Sequence, residues 1–404
     1  MPTMPGDEPP LVLVSGYPPC TAFGGGIVLR RLLEGYPRDR LTVVTSQHVA
    51  DALAGRPDGG GLLPSRHVLL TGWHPRWPGL RRLARSANVL RIPRMAGRIR
   101  RELRPGSALL AVPWGGELGS ELFTAAYLAH RTTRRPLIVY EMDEWRASLG
   151  TASGRVASAL ERMVHGRLLR AAATVWTMTE PMAREFASRF GVEARVLPHC
   201  VDLARYAAAA ERVPRDAGHF QVVFIGSVYA AQADAIRSVA VAVGQLPIDA
   251  GLTLYTDQSA EELAGLGISG PRVTIRPTVP SSQLPALLRA ADALLVALSF
   301  EPAQQAVVRT SFPTKTIDYL AAGVPIVVHA PPQAAVCVRA RAEGWGLVLD
   351  VPGPQGVAEG LQRLAGDVAL QQDLARAALD TAARQHSLED RRAEFLACIR
   401  GAAS

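Results

Sequence analysis

"RTSFPTKTIDYLAAGVPIVVHAPP", residues 309–332, is the stretch that decides the fold. An apolar run, "ALLVALS" (293–299), ends shortly before it, a long loop follows, and a helical pattern begins near Thr314. Gly323 and Pro325 end that pattern, because glycine accepts the turn and proline cannot continue a helix. A second apolar run, "VPIVVHA" (324–330), then starts. Strand, loop, helix, strand is the unit of a parallel sheet, and strands that are apolar throughout need cover on both faces. The stretch also holds Lys315, the only lysine among 44 basic residues. A GC-rich coding background accounts for most of the arginine excess. It does not account for where the exception falls.

The same alternation extends outward to both ends. Upstream lie "LVLVSG" (11–16), "LTVVTS" (41–46), "HVLL" (67–70), "ALLAVPW" (108–114), "PLIVYEM" (136–142), "TVWTMT" (174–179) and "ARVLPH" (194–199). Nearer lie "QVVFIG" (221–226), "LTLYT" (252–256) and "RVTIRP" (272–277), and beyond lies "GLVLD" (346–350). Helical segments such as "SQLPALLRAADA" and "PMAREFASRF" separate them. The expected architecture is α/β, with two doubly wound parallel-sheet domains. A composition break at "YAAAAERVPRDAGH" predicts a linker at 206–219, between a first domain (1–205) and a second (220–385), with a helical tail at 386–404.

A length of 404 residues and 48% apolar content suit two domains, each with its own core. Cys20, Cys200, Cys337 and Cys398 form no CxxC or Cys/His cluster and read as thiols of a reducing compartment. "MPTMPGDEPP" is not a signal peptide, and no run reaches the ~18 apolar residues of a spanning helix. The expectation is a cytoplasmic protein. Of the net charge of +8, much lies between Arg76 and Arg104, where ten arginines fall. Ile92, Met95, Ile99 and Leu103 recur there at helical spacing, which leaves arginines on the opposite face. Such a face suits an anionic membrane surface or a lipid-linked acceptor, and equally an ordinary amphipathic helix packed on its own domain. Nucleic acid is disfavoured, since no recognised binding motif accompanies the charge.

Ligands of doubly wound sheets bind beyond the carboxyl ends of the strands, near helix N-termini. Three junctions there carry candidate residues. In "SGYPPCTAFGGGIVLRRLLEG" (15–35), Gly24, Gly25 and Gly26 open a helix and let backbone N–H groups approach an anion. The spacing is neither Walker A nor GxGxxG, and a plain turn reads the same way. In the opening stretch, Thr314 and Thr316 supply hydroxyls, the helix start supplies N–H groups, and Lys315 is a compact cation for a diphosphate. Asp318, about a turn further on, is within reach of a ribose diol. In "YEMDEWRAS" (140–148), Glu141, Asp143 and Glu144 gather at a strand end, with Asp143 the chosen cleft residue. Trp114 and Glu117 in "VPWGGELGSE" (112–121) are candidate acceptor contacts, whereas His199 reads as structural. No HExxH, GxSxG or metal-ligand cluster is present, so neither a metal nor a resident cofactor is expected.

"FPTKTIDYLAAGVPIVV" resembles the donor-binding segment of GT-B glycosyltransferases of the GT4 type (glycosyltransferase group 1). "TMTEPMAREFASRFGVEARVLPHCVD" (177–202), "GGGIVLRRLLEG" and "ADALLVALSFEP" resemble further segments of that family. The resemblance spans about residues 11–385. It implies two Rossmann-like domains facing a cleft, a nucleotide-sugar donor held mainly by the second, and a sugar, lipid-linked or small-molecule acceptor held mainly by the first. Carried over residue by residue, it makes Glu301 a sugar contact and Asp318 the ribose contact, in place of two glutamates spaced E-x7-E. Here sixteen residues separate the two acids. Family members often carry an arginine soon after the first donor-domain strand, but "IGSVYAAQAD" has no base before Arg237, and Arg309 is the proposed substitute.

The expected chemistry is metal-independent transfer with retention. Lys315, Arg309 and backbone N–H groups would meet charge developing on the departing diphosphate. The arginine-rich helix favours cell-envelope polysaccharide or glycolipid assembly and peripheral attachment at the inner membrane face. Natural-product tailoring stays open, as does a catalytically silent nucleotide-sugar-binding protein.

Overall fold

A computed structural model describes residues 8–22, 24–55, 59–73, 87–113, 118–142, 155–208 and 218–403, the side chains of 155–162 apart. The chain divides into two compact units, one ending at Pro198 and regaining the chain at Glu389, the other running from His199 to Leu388.

The first unit is built on a seven-stranded sheet, ordered β3-β2-β1-β4-β5-β6-β7. Its strands are β1 (Leu11–Ser15), β2 (Leu41–Ser46), β3 (Arg66–Leu70), β4 (Ala108–Val112), β5 (Leu137–Glu141), β6 (Thr174–Thr177) and β7 (Arg195–Val196). The second unit holds a six-stranded sheet, ordered β10-β9-β8-β11-β12-β13. Its strands are β8 (Phe220–Ile225), β9 (Ala250–Tyr255), β10 (Val273–Arg276), β11 (Ala293–Ala297), β12 (Ile326–His329) and β13 (Gly346–Leu349). Every pairing is parallel; Leu13 lies between Val43 and Leu110, and Leu294 between Val223 and Ile326. Each predicted apolar run overlaps one of these strands.

The continuous apolar runs follow from cover on both faces. All five residues of β1, β4, β5 and β11 are buried. Odd and even positions of β8 feed different cores: Val223 joins Tyr319, Leu320 and Trp345, whereas Val222 and Phe224 join Ile236, Val239 and Leu361. Each such side chain stabilises by roughly 1.5–3 kcal/mol, which sets the register, since a slip by one residue would exchange the faces.

In each sheet the chain first builds outward to one side and then returns to the other. The reversal lies between β1 and β4 in the first unit and between β8 and β11 in the second. These switch points leave a crevice at the strands' carboxyl ends, and the loops after β8 and β11 open there.

The predicted linker begins inside the second unit. Helix Leu203–Ala208 includes Tyr206, buried among Leu320, Val324 and Leu288, while residues 209–217 lie outside the described residues. The C-terminal helix Leu388–Ala403 is counted with the first unit from Glu389 onward. Its Phe395 stacks on Trp176 at 5.3 Å, and Arg400 pairs with Glu8 at 2.7 Å.

In helix Ile92–Glu102, Ile92, Met95 and Ile99 face inward and Arg94, Arg98 and Arg101 outward, the predicted division. Residues 74–86 of the basic stretch lie outside the described residues. Among the described residues, no helix is long and apolar enough to cross a membrane.

Candidate functional site

The helix Lys315–Ala322 leads from the loop after β11 back toward β12 and lays its first turn against the carboxyl end of β8. Lys315 and Tyr319, four residues apart, share the face turned to that strand. The Tyr319 hydroxyl accepts the Ile225 N–H at 3.0 Å, pinning the strand end; burial raises its pKa, so it stays a neutral phenol. One residue on, Gly226 turns the chain with φ +97°, a conformation that a side chain strains, and its N–H bonds the Tyr255 carbonyl at 2.8 Å. Lys315 passes beside it. A Cβ at position 226 would lie 3.6 Å from Nζ and 3.8 Å from Cε.

Beyond Gly226, Nζ rests over the ring of Phe224, 3.4 Å from its centroid. The lysine stem keeps some surface, but Nζ itself is sealed and makes no hydrogen bond among the described residues. Burial holds the lysine pKa well below its ordinary value. A buried ammonium without an anion is unfavourable, so an anionic partner at this point relieves a real penalty. The next residue repeats the pattern: Thr316 is fully buried and its Oγ1 has no partner among the described residues.

The remaining predicted residues of this unit are differently placed. Thr314 is half-buried at the N-cap position, and its helical backbone angles keep its hydroxyl from capping the helix. The expected supply of unpaired N–H groups is smaller than the sequence implied. Thr316 N–H bonds Pro313 at 2.9 Å and Ile317 N–H bonds Thr314 at 3.3 Å, a tightened first turn that uses two of them. Asp318 is buried rather than open, and its Oδ1 accepts the Tyr206 hydroxyl at 2.8 Å. Arg309 is exposed at the end of the one-turn helix Gln305–Val308, and its carbonyl accepts the Ala335 N–H at 3.0 Å. Glu301 is exposed on a groove of about 510 Å³ shared with Asp234, Arg237 and Gly267, a groove that Lys315 does not line.

In the first unit, helix Gly24–Leu33 begins at the glycine run. Gly26 is needed for its own chain's sake: a Cβ there would lie 2.5 Å from Cys20 Sγ and 2.8 Å from the Pro18 carbonyl. Glu141 ends β5 fully buried, with Oε1 2.6 Å from His165 Nε2 and Oε2 without a partner among the described residues. Trp114, Glu117, Asp143 and Glu144 lie outside the described residues. His199 is buried, and its carbonyl faces His386 Nδ1 at 2.6 Å. No disulfide joins the four cysteines. Among the described residues, no group of three His, Cys, Asp or Glu side chains is arranged to hold a metal ion.

Sequence reasoning missed Phe224, Gly226, Tyr206 and His165. "FIG" at the end of a strand was a signal for the first two, because glycine there often marks close backbone approach. Nothing local signals Tyr206 or His165.

Two parallel sheets, with a cation and a hydroxyl at the switch point of the second, define the GT-B class, and solved structures agree. Sucrose-phosphate synthase from Thermosynechococcus elongatus superposes with a TM-score of 0.67 at 17% identity, covering 98% of this chain and 100% of its own. Anabaena HepE in complex with UDP and glucose gives 0.66 at 16%, covering 97% and 99%. Trehalose 6-phosphate synthase from Burkholderia multivorans gives 0.67 at 12%, covering 98% and 97%. No curated protein matches the chain in sequence. Residues 219–367 match the family model described as glycosyl transferases group 1. The chain thus has the GT-B fold, and the part of its second unit at residues 219–367 is similar to the group 1 glycosyltransferases.

Proposed function

We propose that the protein transfers a sugar from a nucleoside-diphosphate sugar to an acceptor, with its second unit holding the donor. One observation carries the reading. Nζ of Lys315 and Oγ1 of Thr316, on successive residues, are buried and without hydrogen-bond partners among the described residues, at the switch point of the second sheet. Both can donate to phosphate oxygens. In the reaction, the bond from the anomeric carbon to the diphosphate oxygen breaks and its electron pair leaves with the diphosphate. The acceptor oxygen bonds that carbon and gives up its proton, and the departing phosphate oxygen is the base we assign. Lys315 meets the charge that develops on the diphosphate, the role a divalent metal has in other enzymes. Retention of configuration, a hexosyl donor and independence of metal and cofactor belong to the same reading. HepE, of like fold, is seen with UDP and glucose, which makes UDP-sugars the first donors to try.

The acceptor we propose is lipid-linked, in cell-envelope polysaccharide or glycolipid assembly at the cytoplasmic face of a membrane. The surface around helix Ile92–Glu102 favours it over natural-product tailoring. Arg94, Arg98 and Arg101 lie exposed there, and Leu90, just before the helix, is 82% exposed. Trp73 is also exposed, and Asn88 ties it close by, bonding its backbone N–H at 2.8 Å and its carbonyl at 3.3 Å. Basic side chains beside apolar ones match an anionic bilayer surface.

Release of nucleoside diphosphate from a panel of UDP-, GDP- and dTDP-sugars tests the activity. We expect slow acceptor-independent hydrolysis by the wild type and none by a folded Lys315→Met variant. A wild type that binds a nucleotide sugar yet never turns it over, with any acceptor, leaves a silent binding protein.

A further inference from the structure

Lys315 is seated where no ligand can touch its charge. Nζ has lost its contact with solvent, has no hydrogen-bond partner among the described residues, and lies face-on over Phe224. Phe224 is itself fully buried, on the face of β8 turned toward Ile236 and Val239, whereas Tyr319 of the lysine's own helix packs with the core on the other face. The lysine therefore reaches over the end of the strand to find this ring. It does so beside Gly226, the one residue at that end with no side chain to cover it. A phosphate oxygen bound at the Thr314–Thr316 turn cannot hydrogen-bond the ammonium until the side chain leaves the ring.

We propose that Phe224 is a stowage platform, a positioning residue that holds the Lys315 ammonium out of the site until a diphosphate draws it off the ring. This rests on the reading of residues 314–318 as the diphosphate site. The ring's negative face attracts a desolvated cation, and the diphosphate offers a stronger attraction together with hydrogen bonds. The exchange is a two-state equilibrium of one side chain, and stowage lowers apparent affinity by the fraction of lysine held away.

Because the chain has a single lysine, labelling with 13C-lysine gives one Cε–Hε correlation in the NMR spectrum. Without ligand it is expected well upfield of an ordinary lysine, from the ring current of Phe224. Titration with inorganic pyrophosphate, and separately with UDP, should bring it back to the ordinary position as calorimetry registers binding. Phe224→Leu should show the ordinary position without ligand and bind pyrophosphate tighter, by about three- to thirtyfold. Phe224→Tyr should restore both wild-type properties. A signal at the ordinary position from the start overturns the proposal, as does an upfield signal that stays put while calorimetry shows pyrophosphate bound. Failure of pyrophosphate and UDP alike to bind removes the diphosphate site, and this inference with it. The wild-type titration decides the matter even where a Phe224 variant does not fold.

Discussion

Exchanging Lys315 for methionine keeps an unbranched apolar stem and removes the ammonium. The effect on stability should depend on pH in a direction that follows from the site. Burial lowers the lysine's folded pKa well below the 10.5 of its unfolded form. Between those two values the unfolded chain carries a proton that the folded chain lacks, so wild-type stability rises with pH. It is greatest above the unfolded value and falls as pH drops toward the folded one. Within the window the slope approaches about 1.4 kcal/mol per pH unit; outside it, this group contributes no slope. Methionine has no such dependence. The stability gap, Lys315→Met minus wild type, should therefore shrink as pH rises toward the unfolded value, with that slope.

Urea unfolding followed by tryptophan fluorescence, at matched ionic strength, measures that gap. Burial pushes Cys337 up to about 12, so its own linkage enters as pH rises through the range in which unfolded thiols ionise, in both proteins alike. Taking the difference between two proteins that share all other groups cancels the rest. A gap that is constant across the range would mean that the lysine titrates alike in folded and unfolded chains. An ammonium of that kind is not sealed, and the reasoning about the site would fail with it.

Gly226→Ala forces a side chain into left-handed backbone, which should cost roughly 1–2 kcal/mol, and its methyl would meet Nζ; an unchanged urea midpoint would contradict this. Tyr206→Phe removes the phenol that holds Asp318 and should lower stability by about 1–2 kcal/mol. If Asp318 contacts ribose, the same change should reduce discrimination between UDP and 2′-deoxy-UDP in a binding assay, and equal discrimination argues for a purely structural carboxylate. Phe395→Ala takes away the ring stacked on Trp176 and should destabilise by about 3–5 kcal/mol, with faster amide exchange in helix Leu388–Ala403 and quicker labelling of Cys398. Reversing Arg94, Arg98 and Arg101 to Glu should abolish co-sedimentation with anionic vesicles and leave the urea midpoint nearly unchanged, since all three are exposed; undiminished sedimentation would remove the membrane surface.

What could be read from the sequence was what repeats along the chain. β1, β4, β5 and β11 are apolar at every position because both faces of each sheet are covered, so each strand announced itself without reference to any partner. Lys315 stood out in composition, and its place just after a strand and loop pointed to a switch point before any sheet order was known. Its surroundings were not legible, because they come from residues distant in the chain. Phe224 lies about ninety positions away, and only the parallel pairing of β8 with β11 brings its ring under the lysine. Asp318 was read as open to a ribose because its partner, Tyr206, sits in a stretch whose composition resembled a linker. Alanine-rich sequence carries little amphipathic signal, so one buried tyrosine in a short helix left no periodic trace. The glycine run is ambiguous for a related reason. Three consecutive glycines point to close approach but do not name the partner, and at Gly26 the partner is Cys20 and Pro18 of the preceding loop. Local pattern thus singled out the lysine, whereas its state, sealed against an aromatic ring, emerges only once two distant segments are neighbours in one sheet.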